Sequence, residues 1–173
     1  YRFEPESPKE IYSIDTPPPT VSGSLHIGHI FSYTQAEMIA RFKRMQGYNV
    51  FYPFGFDDNG LPTERLVEKE EGILAKNFSR SEFTQKCIAT SSKYVKEFKD
   101  LWKSLGFSVD WSLQYETIDP MAERISQKSF LRLLKDGKAY RKESPILWCT
   151  ECRTSIAQAE LETVEKETAF HFI

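Results

Sequence analysis

Three groups of residues have types and spacings that could do chemistry. The first is His26 and His29, at the end of the stretch PPPTVSGSLHIGH over residues 17–29. Imidazoles three apart on a helix share one face. Near a helix N-terminus each is biased toward its neutral form yet still offers one N–H donor. A first helical turn also carries unused backbone N–H groups at the positive end of the dipole, which suits an anion. Gly23 and Gly28 admit close approach of backbone or ligand. The chemistry this suggests is phosphate binding, although His-x-x-His taken alone reads first as a solvated pair or half a metal site. Neither a GxxxxGK[ST] nor a GxGxxG pattern is present. The second group is Asp57 in GFDDNGLPTE, residues 55–64, a carboxylate able to hold an ammonium, or a turn residue in DDNG. The third is Cys149 and Cys152 in WCTEC. A CxxC pair is either a redox couple or half of a metal knuckle, and Trp148 with short-strand surroundings favours the knuckle. Cys87, far off on an apolar stripe, reads as core.

The elements that position these groups follow from periodicity. Residues 11–15 (IYSID) read as a strand stopped by prolines. Residues 25–46 are helical, with Ile27, Ile30, Phe31, Ala36, Ile39, Phe42 and Met45 as the apolar stripe and Gly47 just past the end. The apolar run YNVFYPF, residues 48–54, is the mark of a strand buried in a parallel sheet. Strand, helix, strand is one βαβ unit, and its first loop lies at the carboxyl edge of the sheet, where open α/β folds bind ligands. A short helix is expected over 63–71. A long amphipathic one starts at Ser81 with Phe83, Cys87, Tyr94, Phe98, Leu101 and Leu105 inward, and a third runs over 119–136. The basic residues between Lys93 and Lys103 read as a solvated face. Short strands are expected over 139–148, near 159–164, and in the closing TAFHFI. The chain thus reads as an α/β Rossmann-like parallel-sheet domain over residues 1–137, followed by a small β-rich, zinc-knuckle-like element over 138–173.

Composition narrows the class. With 173 residues, 40% hydrophobic and 28% charged, the chain has the makeup of a soluble globular protein. A net charge of −2 exerts no global pull on nucleic acid, so any such contact would be local. No apolar run is long enough to span a bilayer, and the first ten residues lack the pattern of a secretory signal. Three cysteines without such a signal point to a reducing, cytoplasmic setting. The alternating pattern at residues 168–173 suggests a piece of a longer protein.

Four blocks, in order along almost the whole chain, resemble one family. LHIGH after a proline-rich strand end resembles the first signature of the class I aminoacyl-tRNA synthetases. GFDDNGLPTE resembles the second block of their valyl, isoleucyl and leucyl branch, and LGFSVDW, residues 105–111, the third. WCTECRTSIAQAELE, residues 148–162, resembles the segment before that branch's inserted editing domain. PPPTVSGSLHIGH is most similar to the valyl form. The GLPTE half of the second block is nearer the isoleucyl one, Thr20 stands where valyl forms often carry Asn, and Leu113 replaces an Arg. The resemblance implies ATP- and Mg2+-dependent activation of valine and its transfer to tRNA(Val), with isoleucine, or a non-catalytic nucleotide-binding relative, as alternatives. By the same resemblance Thr20, His26, Gly28 and His29 contact ATP, with both histidines catalytic. Pro18 and Pro19 wall the amino-acid pocket, and Asp57 holds the substrate ammonium. Cys149 and Cys152 supply half a zinc site, completed from beyond residue 173. The KMSKS signature is absent, and a monomeric, cytoplasmic parent with no membrane contact is expected.

Overall fold

The computed structural model of the chain describes residues 1–58, 60–158, 161, 163–165, 167 and 169. It divides into two compact units, Tyr1–Ser129 and Phe130–Ile173. In the first, β1 (Ile11–Ser13) leads through the proline loop into α1 (Ile27–Met45), then β2 (Asn49–Phe51) and β3 (Gly55–Phe56). After these come α2 (Leu61–Glu71), α3 (Arg80–Ser104), β4 (Tyr115–Glu116) and α4 (Pro120–Lys135), which continues into the second unit.

β1 pairs with β2 and β3 with β4, both in parallel. Backbone bonds continue between these short ladders. Ile14 N–H donates to Phe51 O at 2.9 Å, Asp57 N–H to Pro19 O at 2.9 Å, and Val21 N–H to Asp57 O at 2.7 Å. On the other side Asp110 N–H donates to Tyr52 O at 3.0 Å, Tyr115 N–H to Phe54 O at 3.2 Å, and Thr117 N–H to Phe56 O at 3.0 Å. Residues 49–57 therefore run between two parallel neighbours, which accounts for the apolar run at 48–54. Tyr52, Phe54 and Phe56, spaced by two, are all buried. Against Phe54 lie Tyr33 of α1 and Trp102 of α3, with ring centroids 5.4 and 6.0 Å away, and Tyr33 and Trp102 are 5.3 Å apart. Gly55 has no side chain because the Tyr115 ring fills the place where a Cβ would stand.

Two sequence expectations are corrected by the fold. The apolar stripe read on α1 does not face the core: Ile27 (78% exposed), Phe31, Ile39, Phe42 and Met45 all lie outward, and the buried face is Tyr33, Glu37 and Ala40. Ile30 and Ala36 alone of the stripe pack against the core. Burial of Glu37 is sustained by hydrogen bonds, from Ser108 N–H at 2.8 Å and Arg41 Nε at 2.7 Å, so a charged residue occupies a core-facing position. On α3 the buried set is Phe83, Ser91, Tyr94, Val95, Phe98 and Trp102, whereas Leu105 lies outward. The second correction concerns residues 139–147, which form no strand. Among the described residues beyond α4, strand pairing is confined to a hairpin of β5 (Trp148–Cys149) and β6 (Thr154–Ser155). The closing TAFHFI falls outside the described residues except Ala169, and the 159–164 strand outside them except at Leu161, Thr163 and Val164, which are not in a strand. Lys99 and Lys103, read as solvated, reach over the Trp111 ring at 5.4 and 5.9 Å.

Trp102 is fully buried at the junction of α1, α3 and the sheet. Trp102→Ala is expected to destabilise the fold by about 3–5 kcal/mol, the usual cost of emptying an aromatic core site. Urea unfolding followed by circular dichroism measures it.

Candidate active site

The proline stretch ends at the N-terminus of α1, where the two histidines cap the helix reciprocally. His26, in extended backbone conformation, is the N-cap, and its Nδ1 accepts from Gly28 N–H at 3.1 Å. His29 Nδ1 accepts from His26 N–H at 3.4 Å. This is the capping-box arrangement with imidazoles in place of hydroxyl and carboxylate. The rings lie 4.0 Å apart, tilted by 36°. Gly28 suits the same geometry: a Cβ there would stand 2.9 Å from His26 Cε1, so the His26 ring would have to shift.

The cap has a chemical consequence. An Nδ1 that accepts a backbone N–H carries no proton, so each neutral ring holds its proton on Nε2. Burial, and secondarily the charge of His26, lower the pKa of His29 and favour that neutral form. The cap also changes which donors the site offers. The N–H groups of Gly28, His29 and Ile30 are all spent on His26, the last two on its carbonyl at 3.0 and 3.4 Å. Of the first-turn backbone N–H groups that the sequence reading offers to an anion, those of Gly28 and His29 are thus taken up within the helix end. The cap leaves the two Nε2–H groups as side-chain donors, and the Ile27 N–H takes no part in it.

A cavity of about 460 Å3 opens beside them, lined by Thr16, Pro17, His26, Gly28, His29, Ser32 and Tyr33, a size suited to a small ligand. The Tyr33 hydroxyl donates to Pro17 O and ties the proline wall to α1. Burial, with Tyr115 nearby, pushes the pKa of this hydroxyl up to about 12, so it remains a donor.

The remaining expected site residues cluster on the adjoining strand end. Pro18 is half-buried, and Pro19 is buried with its carbonyl bound to Asp57 N–H. Thr20 pairs with Asp57 through a parallel bridge, and its hydroxyl donates to Asp57 Oδ2 at 3.5 Å. Thr20 is therefore beside Asp57 and does not line the histidine cavity. Asp57 Oδ1 accepts from Thr117 Oγ1 at 3.2 Å. Thr117, which makes this bond, is not singled out by the sequence, because QYETID carries no local signal beyond that of a connection between two helices.

Asp58, next along the chain, is buried. Its Oδ1 accepts from the Ser91 hydroxyl, whereas Oδ2 has no partner among the described residues. It borders a second cavity of about 170 Å3, which Cys87 also lines. Burial pushes its carboxyl up to about 6; the Ser91 bond opposes this, and the carboxylates of Glu116, Asp57 and Asp119 add to it. The third sequence block serves the scaffold. Burial raises the Asp110 carboxyl, but bonds from Ser112 and from Phe3 N–H outweigh it and hold the pKa low.

In the second unit, Cys149 and Cys152 flank the β5–β6 turn. Cys152 N–H donates to Cys149 Sγ at 3.3 Å, a bond that suits a thiolate, and Arg153 adopts φ 53° to close the turn. Among the described residues no group of three or more His, Cys, Asp or Glu side chains is assembled for a metal ion, so these residues offer at most two of four zinc ligands. No helix among the described residues is long and apolar enough to cross a membrane.

Comparison with known proteins adds an independent observation. The family of tRNA synthetases class I (I, L, M and V) matches residues 2–170. The valine–tRNA ligases of Rickettsia felis and Rickettsia prowazekii are each 53% identical over the whole of this chain. The chain spans only about a fifth of their length, 20% and 21%. Among solved structures, the LeuRS of Agrobacterium radiobacter K84, in a ternary LeuRS–tRNA–LeuAMS complex, matches with a TM-score of 0.77 and 27% identity. The match covers 92% of this chain and 19% of that one.

The shifted Asp58 carboxyl makes a testable link to stability. Its folded pKa of about 6 lies above the ordinary 3.8. Between those values the folded chain binds more protons than the unfolded one, so this contribution to stability is lost as pH rises through the folded value. Asp58→Asn is expected to be more stable than the parent at pH 7.5, by about 1–2 kcal/mol, with the difference shrinking toward pH 4. Paired urea titrations at the two pH values check it.

Proposed function

Because this chain belongs to the class I tRNA synthetases (I, L, M and V), we propose that it forms the first part of the catalytic domain of a valine–tRNA ligase. In this reading the parent activates valine with ATP and passes the acyl group to tRNA(Val). The observation that carries it is the reciprocal histidine cap, which leaves two Nε2–H donors beside a ligand-sized cavity. Identity of 53% over the whole chain to valine–tRNA ligases supports valine as the amino acid.

Activation is attack of the valine carboxylate on the α-phosphorus of ATP, with pyrophosphate leaving. The nucleophile is already an anion, so the residues need only position the reactants and stabilise charge. His26 and His29 donate their Nε2–H groups to phosphate oxygens as negative charge builds there. Their neutral tautomers are fixed by the cap before substrate arrives. Gly28 keeps the His26 ring seated. Asp57 takes the valine ammonium, Pro18 and Pro19 wall the side chain, and Thr20 serves the same corner through its bond to Asp57. Mg2+ accompanies the triphosphate.

The βαβ arrangement of β1, α1 and β2, continued by residues 55–57 and 110–117, is the first half of a Rossmann-like parallel sheet. We assign residues 1–137 to that half-domain and 138–173 to a segment leading toward an inserted editing domain. Cys149 and Cys152 are half of a zinc knuckle whose other ligands lie elsewhere in the parent. The parent acts in the cytoplasm as a monomer.

Replacing His29 tests the catalytic reading. In full-length enzyme, His29→Ala is expected to lower kcat for valine-dependent ATP–pyrophosphate exchange by about 10²–10³-fold, the usual cost of one transition-state donor, with little change in KM for ATP. A pure KM effect would contradict the role. For the metal, full-length protein is expected to contain zinc that Cys149→Ser and Cys152→Ser each release. Elemental analysis after dialysis against a chelator measures this.

A further inference from the structure

We propose that Thr117 is a positioning residue for amino-acid binding, because its hydroxyl fixes the carboxylate of Asp57 in the orientation that receives the substrate ammonium. The proposal rests on the reading of Asp57 as the ammonium holder. Thr117 follows β4, far along the chain from Asp57, yet it is held beside it at three points. Its N–H donates to Phe56 O at 3.0 Å, which fixes the backbone one residue from Asp57. Its Oγ1 accepts from Asp58 N–H at 3.0 Å. Its Oγ1 is 3.2 Å from Asp57 Oδ1.

The second of these contacts sets the direction of the third. A threonine hydroxyl has one proton to donate. With Asp58 N–H occupying an Oγ1 lone pair, the proton is directed to the acceptor that remains, Asp57 Oδ1. Thr20 holds the other oxygen, Oδ2, from the opposite strand. The Asp57 carboxylate is thus pinned by one hydroxyl on each side, each supplied by a strand hydrogen-bonded to residues 49–57.

Such pinning has a purpose at this place. The carboxyl groups of Glu116, Asp57 and Asp119 each lie close enough to that of Asp58 to act on it electrostatically. Asp57 thus has other acidic side chains for neighbours. Discrimination of the productive pose requires that one carboxylate be presented in a fixed direction. Loss of the Thr117 hydroxyl removes the shorter of the two hydroxyl bonds, 3.2 against 3.5 Å, and weakens the hold on the carboxylate's direction. The effect falls on ground-state binding of the amino acid, so it belongs in KM for valine and not in kcat or in KM for ATP.

The test is ATP–pyrophosphate exchange with full-length enzyme and the nearly isosteric variant Thr117→Val. Expected are a KM for valine raised about tenfold, kcat and KM for ATP within about twofold, and recovery of most of the loss by Thr117→Ser. A readout that a merely structural role would not move is the pair of inhibitors valinol and 3-methylbutyrate. The first keeps the ammonium and the second lacks it, so only valinol should bind more weakly to Thr117→Val. If the valine variant does not fold, Thr117→Ala carries the same comparison. Asp57→Asn is the control for the underlying reading. If Asp57→Asn raises KM for valine but Thr117→Val and Thr117→Ala do not, Thr117 has no positioning role, while the reading of Asp57 stands. If Asp57→Asn leaves KM for valine unchanged, the ammonium reading itself falls and the proposal with it. Equal weakening of both inhibitors would overturn the proposal in favour of general loosening of the pocket.

Discussion

Residues 49–57 receive backbone hydrogen bonds from both sides, and the arrangement of the first unit follows from that ladder. One neighbour, residues 11–21, carries the chain into the proline loop and the histidine cap. The other, residues 110–117, brings Thr117 to the same edge. A strand with neighbours on both sides cannot shift register without moving both, because a one-residue slip would turn Tyr52, Phe54 and Phe56 out of the core. The aromatic contacts of Phe54 with Tyr33 and Trp102 then lock α1 and α3 onto the strand. Asp57 lies at the end of the most constrained segment of the unit, where a carboxylate of fixed direction is most readily built.

The helix N-terminus illustrates a trade between two uses of the same groups. Free first-turn N–H groups bind anions. In this chain those of Gly28 and His29 are consumed internally by His26, through its ring and its carbonyl. What the chain gains is control over the imidazoles: their acceptor nitrogen is committed, so their donor nitrogen is defined. Neutral rings near the positive end of a helix dipole also cost less than imidazolium ions would. The cap thereby leaves two side-chain donors beside the cavity at the helix N-terminus.

The sequence by itself determined β1, the apolar strand that follows α1, and the helices of the first unit, but neither β3, in a stretch that reads as a loop, nor β4. The apolar run at 48–54, the period of the helices and the glycines past their ends are local signals, and each matches an observed element within a few residues. The two histidines, Gly28 and Asp57 are singled out in the sequence by residue type, close spacing and the prolines and glycines that flank them, and the fold brings the first three to one helix end and Asp57 to the adjoining strand end. Tertiary structure alone decided which face of α1 is buried. Apolar periodicity favours Phe31, Ile39 and Phe42, but Glu37 faces inward because Ser108 and Arg41, distant and near in sequence, supply its hydrogen bonds. It also decided that the Gly28 N–H is occupied, since a cap made by the His26 ring depends on a rotamer that no spacing specifies. Thr117 became visible only when the strand after α3 lay parallel to residues 55–57. A hydroxyl acquires its role from the acceptor within its reach, and for Thr117 that acceptor is contributed by a distant part of the chain.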